Sequence, residues 1–197
     1  MLLVPALLVA AYCLGSIATA VIVCRLCGLA DPRGVGSGNP GATNVLRLGS
    51  KKAAGMTLLG DVGKGILPVV VAQSLGLQAP VTTAVGLAAF LGHLYPVFYR
   101  FQGGKGVATF IGVSLALEPW LGLAFAASWL VVAMVTRYSS LAALVATAVT
   151  PVAAWWLGAP PAALAMFALM AALIYWRHGR NISALLAGTE KKIGQKA

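Results

Sequence analysis

Residues 34 to 47 read Gly-Val-Gly-Ser-Gly-Asn-Pro-Gly-Ala-Thr-Asn-Val-Leu-Arg. Gly34, Gly36, Gly38 and Gly41 allow a backbone that comes close to a ligand, while Ser37, Asn39, Thr43 and Asn44 offer hydrogen bonds and Arg47 a bidentate charge. Such a loop is suited to holding an anion. Residues 36 to 41 also satisfy G-x-G-x-x-G with Asp61 further on, as in a dinucleotide fingerprint. That fingerprint requires a preceding strand and a βαβ unit, whereas a hydrophobic segment precedes this loop and Asp61 falls in the next apolar stretch.

A second polar run, Arg100-Phe101-Gln102-Gly103-Gly104-Lys105-Gly106-Val107-Ala108-Thr109, places a lysine among three glycines. A Walker A loop would have Ser or Thr directly after the lysine to bind magnesium, and Gly106 stands there instead, which argues against nucleoside triphosphate hydrolysis. A Gly-Gly-Lys-Gly turn opening a helix could still aim backbone N–H groups, a helix dipole and the Lys105 ammonium at one anion. A third run, Arg177-His178-Gly179-Arg180-Asn181-Ile182, precedes Gly188-Thr189-Glu190-Lys191-Lys192. His178 and Asn181 are spaced to share a helical face, and Arg177 and Arg180 are either ligand contacts or topology anchors. Tyr138, Ser139 and Ser140 beside Arg137 could add hydroxyls. Asp61 and Lys64 share a helical face in apolar surroundings and read as an ion pair, and His93 is either a functional group or a core histidine.

The elements that position these runs are membrane spans. Of 197 residues, 60% are hydrophobic and 9% charged, against about 25% charged in an average soluble domain. Apolar stretches run from Leu2 to Cys24, Ala53 to Gly76, Val81 to Tyr99, Val107 to Leu117, Trp120 to Thr136, Leu141 to Leu157 and Ala162 to Trp176. The fourth is short for a bilayer and is expected to begin within the Gly103 to Gly106 turn. The first, lacking a basic n-region, reads as a retained span and not as a signal peptide. The fold class is therefore an all-α integral membrane protein of about seven transmembrane helices.

Lys and Arg number 14 against four Asp and Glu, and all but Lys64 fall in alternate loops: after spans one, three, five and seven. The intervening loops carry none. This positive-inside pattern puts the N-terminus outside and the C-terminus in the cytoplasm. The spread of charge excludes a nucleic-acid arm and leaves the lipid bilayer and anionic ligands as partners. Residues 1–197 form one membrane domain, with cytoplasmic polar segments near 25–52, 100–106, 137–140 and 177–197. Cys13, Cys24 and Cys27 make no disulfide framework and no zinc set; neither metal nor cofactor is expected.

Taken together, Gly36-Ser37-Gly38-Asn39-Pro40-Gly41-Ala42-Thr43-Asn44 with Arg47, Gly103-Gly104-Lys105-Gly106-Val107-Ala108-Thr109, and Arg177-His178 with Asn181-Ile182 resemble the signatures of the acyl-phosphate-dependent glycerol-3-phosphate acyltransferases. Tyr12-x-Leu14-Gly15-Ser16-Ile17, Asp61-x-x-Lys64-Gly65 and Gly92-His93 extend the resemblance over essentially the whole chain. The chain departs from the family pattern at Ala18, where proline is often seen, and at Gly179 and Ala184, which stand in place of tail arginines.

The resemblance implies a bacterial inner-membrane enzyme. It would move a fatty acyl group from acyl phosphate to the 1-hydroxyl of glycerol 3-phosphate, giving lysophosphatidic acid and phosphate at the first step of phospholipid synthesis. Its seven-span fold would turn the site to the cytoplasm. By the same resemblance Ser37, Asn39, Thr43 and Arg47 would bind phosphate, with Gly36, Gly38 and Asn44 lining the loop. Lys105, carried by Gly103 and Gly104, would neutralise phosphate, and His178 with Asn181 would position glycerol 3-phosphate. Ser140 would be a further substrate contact on the same resemblance, carried over on a weaker match. Because an acyl phosphate is already activated, clamping two phosphates would supply much of the catalysis, with either His178 or a substrate phosphate taking the proton. The competing reading is a phosphate or organic-anion transporter, which would call for repeated halves and midplane charges, whereas here no repeat is visible and the polar loops gather at one face.

Overall fold

Segments that lack charge over a bilayer's width can satisfy their backbone in lipid only by helical hydrogen bonding. The computed structural model describes residues 2–195 and is helical through most of each of these segments. Met1 and residues 196 and 197, the ends of the expected domain and tail, lie outside the described residues. In chain order the α-helices are α1 (Leu3–Gly15), α2 (Thr19–Leu26), α3 (Ala42–Arg47), α4 (Lys51–Ser74), α5 (Ala79–Leu94), α6 (Val107–Leu117), α7 (Pro119–Thr136), α8 (Ser139–Trp156), α9 (Pro161–Arg177) and α10 (Gly179–Leu186). A single 3₁₀ turn, Val97–Tyr99, follows α5.

Helices α4, α7, α8 and α5 with its 3₁₀ turn are each long and apolar enough to cross a membrane. Two bent pairs, α1 with α2 at 43° and α9 with α10 at 59°, bring the number of such spans to as many as six. The stretch expected as one uninterrupted first span is thus broken at Ser16–Ala18. Ser16 turns its hydroxyl back to the Tyr12 carbonyl at 2.8 Å, and the Ile17 carbonyl, freed by the break, is capped by the Lys64 ammonium at 2.8 Å. Helix α6 has 11 residues, about 16 Å of rise, and it starts directly after Gly106, as the glycine turn requires.

Apolar side chains pack without needing to hide from water here, so close backbone approach and interdigitation hold the bundle together. Phe110 of α6 meets Phe125 of α7 with ring centroids 5.5 Å apart and Phe167 of α9 at 5.7 Å. Helix α5 crosses α1 at Gly92, where an added Cβ would strike the Tyr12 carbonyl and the backbone of Gly15 and Ser16.

The polar segments gather at one end of this bundle. Thr43 Oγ1 lies 2.9 Å from Ser139 Oγ, and Arg47 donates to the Lys191 carbonyl at 3.2 Å. Ser140 donates to Glu190 at 2.7 Å. The tail doubles back onto the α7–α8 junction, where the Ile193 N–H reaches the Arg137 carbonyl at 2.7 Å.

Candidate active site

Three loops and one short helix build a cavity of about 510 Å³ at the polar end. Ser37, Gly38 and Asn39 enter it from the first loop, Gly103 and Lys105 from the second, and Trp176, Arg177, Gly179, Arg180 and Asn181 from the α9–α10 corner. Glu190 of the returning tail completes the lining.

The first loop keeps its shape through Asn44 and two left-handed glycines, Gly36 at φ 64° and Gly38 at φ 70°. The buried Asn44 carboxamide accepts from the Ser37 N–H at 3.0 Å and donates to the Pro32 and Val35 carbonyls at 2.7 and 3.0 Å. Its polar atoms are therefore engaged with the loop's own backbone. The Arg33 guanidinium, bonded to Asp31 at 2.6 Å, holds that carboxyl below the usual carboxylate range. It also lies 5.4 Å above the centre of the Tyr99 ring, joining the first loop to the second.

The second loop is gripped from above by Arg177, whose guanidinium donates to the Gly103 carbonyl at 2.6 Å and the Gly104 carbonyl at 3.2 Å. Gly106, at φ 89°, lets the chain turn into α6. Lys105 is thereby presented to the cavity, where its ammonium donates to the Asn181 side-chain oxygen. The Asn181 amide in turn donates to Glu190 at 2.8 Å. Burial pushes the Lys105 pKa down, the Glu190 carboxylate opposes this, and Arg47, Arg177 and Arg180 push it down further, to about 8. Several cations thus face one carboxylate, so the cavity favours an anionic guest.

Of the residues expected at the site, Ser37, Gly38, Asn39, Gly103, Lys105 and Asn181 share this cavity. Gly36, Thr43, Asn44, Arg47, Gly104, Ser140 and His178 do not line it and stand behind it or at its edge. Arg47 has a buried Nε with no hydrogen-bond partner among the described residues. His178, just past the end of α9 and 3% exposed, sets its Nδ1 2.8 Å from the Ile174 carbonyl. A carbonyl only accepts, so Nδ1 carries the proton and Nε2 is the basic nitrogen. Burial first, then the nearby Lys105 charge, depresses this imidazole to a pKa of about 4, against smaller opposing effects of the Ile174 bond and Glu190. Glu190 was the group that motif reading left unassigned. Its rarity was the available signal, since the chain has only four Asp and Glu.

A polar, cationic cavity at one end of a bundle of membrane-length helices marks a multi-pass membrane protein with a site suited to an anion. The sequence profile of the family described as glycerol-3-phosphate acyltransferase matches residues 5–188, and the chain belongs to that family. It is 58% identical over 196 residues to the glycerol-3-phosphate acyltransferase of Thioalkalivibrio sulfidiphilus, covering all of this chain and 97% of that one. It is 54% identical to the enzyme of that name from Bordetella pertussis, covering 97% and 92%. Its fold is similar to the crystal structure of PlsY, an integral membrane glycerol 3-phosphate acyltransferase. For the glycerol 3-phosphate form the TM-score is 0.92 at 42% identity, covering 97% of this chain and 96% of that one. For the lysophosphatidic acid form it is 0.90 at 40%, covering 98% and 96%.

Proposed function

We propose that the protein transfers a fatty acyl group from acyl phosphate to the 1-hydroxyl of sn-glycerol 3-phosphate, releasing inorganic phosphate and opening phospholipid synthesis. The observation that carries this reading is the convergence of Lys105, Arg177 and Arg180 with Ser37 and Asn39 on one cavity of about 510 Å³. Whole-length similarity to a protein seen in glycerol 3-phosphate and lysophosphatidic acid forms supports the acceptor and the product.

In the reaction the 1-hydroxyl oxygen bonds to the acyl carbonyl carbon, the bond from that carbon to the phosphate oxygen breaks, and the hydroxyl proton passes to a base. Lys105 meets the charge that grows on the departing phosphate, while the N–H groups of Ser37, Gly38 and Asn39 stay bonded within the first loop. Ser37 and Asn39 hold phosphate oxygens and Asn181 orients the acceptor from within the cavity, while Arg47 and Thr43 are tied to the Lys191 carbonyl and the Ser139 hydroxyl outside its lining. Asn44 and Ser140 shape the site, Asn44 through its loop bonds and Ser140 through Glu190. With a pKa of about 4, His178 is a weak base at neutral pH, whereas a substrate phosphate has a second pKa of about 6. The phosphate takes the proton, and His178 accepts a hydrogen bond at Nε2.

The bonds among the polar segments support a seven-crossing count. The second loop bonds to Asn181 of α10, Asn181 and the Tyr138–Ser140 junction both bond to Glu190 of the tail, and the chain between the second loop and that junction leaves this end and comes back. Helices α6 and α7 are that excursion, with short α6 crossing only inside the protein. The excess of Lys and Arg at this end supports a cytoplasmic site, an external N-terminus and residence in the bacterial inner membrane.

The test offers the purified protein labelled glycerol 3-phosphate with either acyl phosphate or acyl-CoA. Lysophosphatidic acid formed from acyl phosphate alone is the expected result. Product from acyl-CoA alone overturns the donor, and no product from either in folded protein returns the transporter reading, to be read by flux in proteoliposomes.

A further inference from the structure

Asp61 and Lys64 of α4 and His93 of α5 lie outside the cavity, and they are 2%, 5% and 7% exposed. Three ionisable groups so deep in a membrane bundle are costly, and an apolar trio of equal volume would pack as well. Their contacts show what they touch instead. Lys64 Nζ lies 2.8 Å from Asp61 Oδ1 and donates to the Ile17 carbonyl at 2.8 Å, in the break between α1 and α2. His93 accepts at its carbonyl from the Gly104 N–H at 3.1 Å. A Cβ on Gly104 would strike the His93 ring, and one on Gly103 would strike the His93 and Leu94 carbonyls. The loop backbone immediately before Lys105 therefore rests on His93, while Arg177 holds the same two residues from the other side.

Between these groups is a separate cavity of about 10 Å³, lined by Asp61, Lys64, His93, Pro40, Gly103 and Gly104 among others. Asp61 Oδ1, which is ion-paired with Lys64, and His93 Nδ1 are 3.6 Å apart, and the buried His93 Nδ1 has no hydrogen-bond partner among the described residues. A cavity of this size beside a carboxylate oxygen and an unpartnered ring nitrogen matches the needs of one buried water. Pro40 belongs to the first loop, so the cluster underlies both loops.

We propose that Asp61, Lys64 and His93, with one water bridging Asp61 Oδ1 and His93 Nδ1, are positioning residues that fix the Gly103–Gly104 backbone from below and so aim Lys105 at phosphate. The inference rests on the proposed role of Lys105. It assigns the cluster a part in substrate affinity that an ion pair kept for stability would not have.

The experiment compares full-length His93→Ala and Asp61→Asn with the unaltered protein, reading KM for glycerol 3-phosphate, inhibition by inorganic phosphate, and thermal unfolding with and without phosphate. Both variants are expected to raise KM and the phosphate inhibition constant by about tenfold, since a misaimed group loses affinity in the molecules that do fold. In a Lys105→Ala background the same changes should weaken phosphate's thermal stabilisation no further, because the two act through one group. A lower unfolding temperature with KM and phosphate inhibition unchanged overturns the proposal, as does full additivity with Lys105→Ala. Should His93→Ala fail to fold, His93→Gln and the neutral pair Asp61→Asn with Lys64→Gln carry the same readouts. An ordered water between Asp61 and His93 in a crystal structure is expected, and an empty cavity there overturns the bridge. If the unaltered, folded protein neither turns over acyl phosphate nor responds to phosphate, the reading of the site itself fails. If it does both and the variants match it, only the positioning role fails.

Discussion

Raising the pH removes the Lys105 proton, and the structure indicates where this happens. Burial and the cations Arg47, Arg177 and Arg180 depress the ammonium, Glu190 partly restores it, and the outcome is a pKa of about 8. The charged form predominates below that value and is lost above it. If the charge stabilises the leaving phosphate, kcat/KM is level between the phosphate's second pKa of about 6 and about pH 8 and falls about tenfold for each pH unit beyond, or about 1.4 kcal/mol of transition-state stabilisation per unit. A bound phosphate favours the ammonium, so the limb in kcat lies at higher pH than the limb in kcat/KM. Lys105→Arg supplies a group that does not deprotonate in this range. It should be slower, because a planar fork does not replace a compact ammonium, yet its alkaline limb should be gone. Glu190→Gln removes the influence that raises the pKa and should move the limb toward acid. The assay is the initial rate of lysophosphatidic acid formation across pH, corrected for spontaneous hydrolysis of acyl phosphate. An unaltered limb in Lys105→Arg, or a profile that stays level to about pH 10, would refute the reasoning.

Asn181→Ala unties Lys105 from Glu190 and should raise KM for glycerol 3-phosphate about tenfold with little change in thermal unfolding, measured by steady-state kinetics beside a melting curve. His178→Gln should lower kcat at saturation by less than about tenfold, whereas a loss of about a hundredfold or more would make the imidazole the general base. Gly92→Ala drives a methyl into the Tyr12 carbonyl and should cost about 1–3 kcal/mol, read as a lower unfolding temperature in detergent. With Cys13 and Cys24 replaced by alanine, the exposed Cys27 just past α2 should react with a membrane-impermeant maleimide in inside-out vesicles and not in intact cells. The reverse pattern would invert the proposed topology.

The helices were legible because lipid removes alternatives: a charge-free run of bilayer length has to be helical, and its ends fall where Lys, Arg and glycine turns begin. The break at Ser16–Ala18 was not legible, since the group that meets its Ile17 carbonyl, Lys64, lies 47 residues away along the chain. The two anion loops could be read from their donors and glycines, as both serve locally. Asn44 and Ser140 were read as contacts, and the folded chain shows Asn44 engaged with its own loop and Ser140 with Glu190. Glu190 reaches the cavity only because the tail folds back, with Ile193 paired to Arg137, a contact that local pattern does not announce. The depressed imidazole of His178 likewise depends on burial, which spacing does not report.

The most direct measurement is an experimental structure of the protein with glycerol 3-phosphate and a non-hydrolysable acyl phosphonate bound together. The account predicts both phosphorus-bearing groups in the cavity between Ser37 and Asn181, with Lys105 Nζ within hydrogen-bond distance of the acyl donor's phosphorus oxygens. Either group seated elsewhere, or Lys105 still turned to Asn181 with both ligands bound, would contradict it.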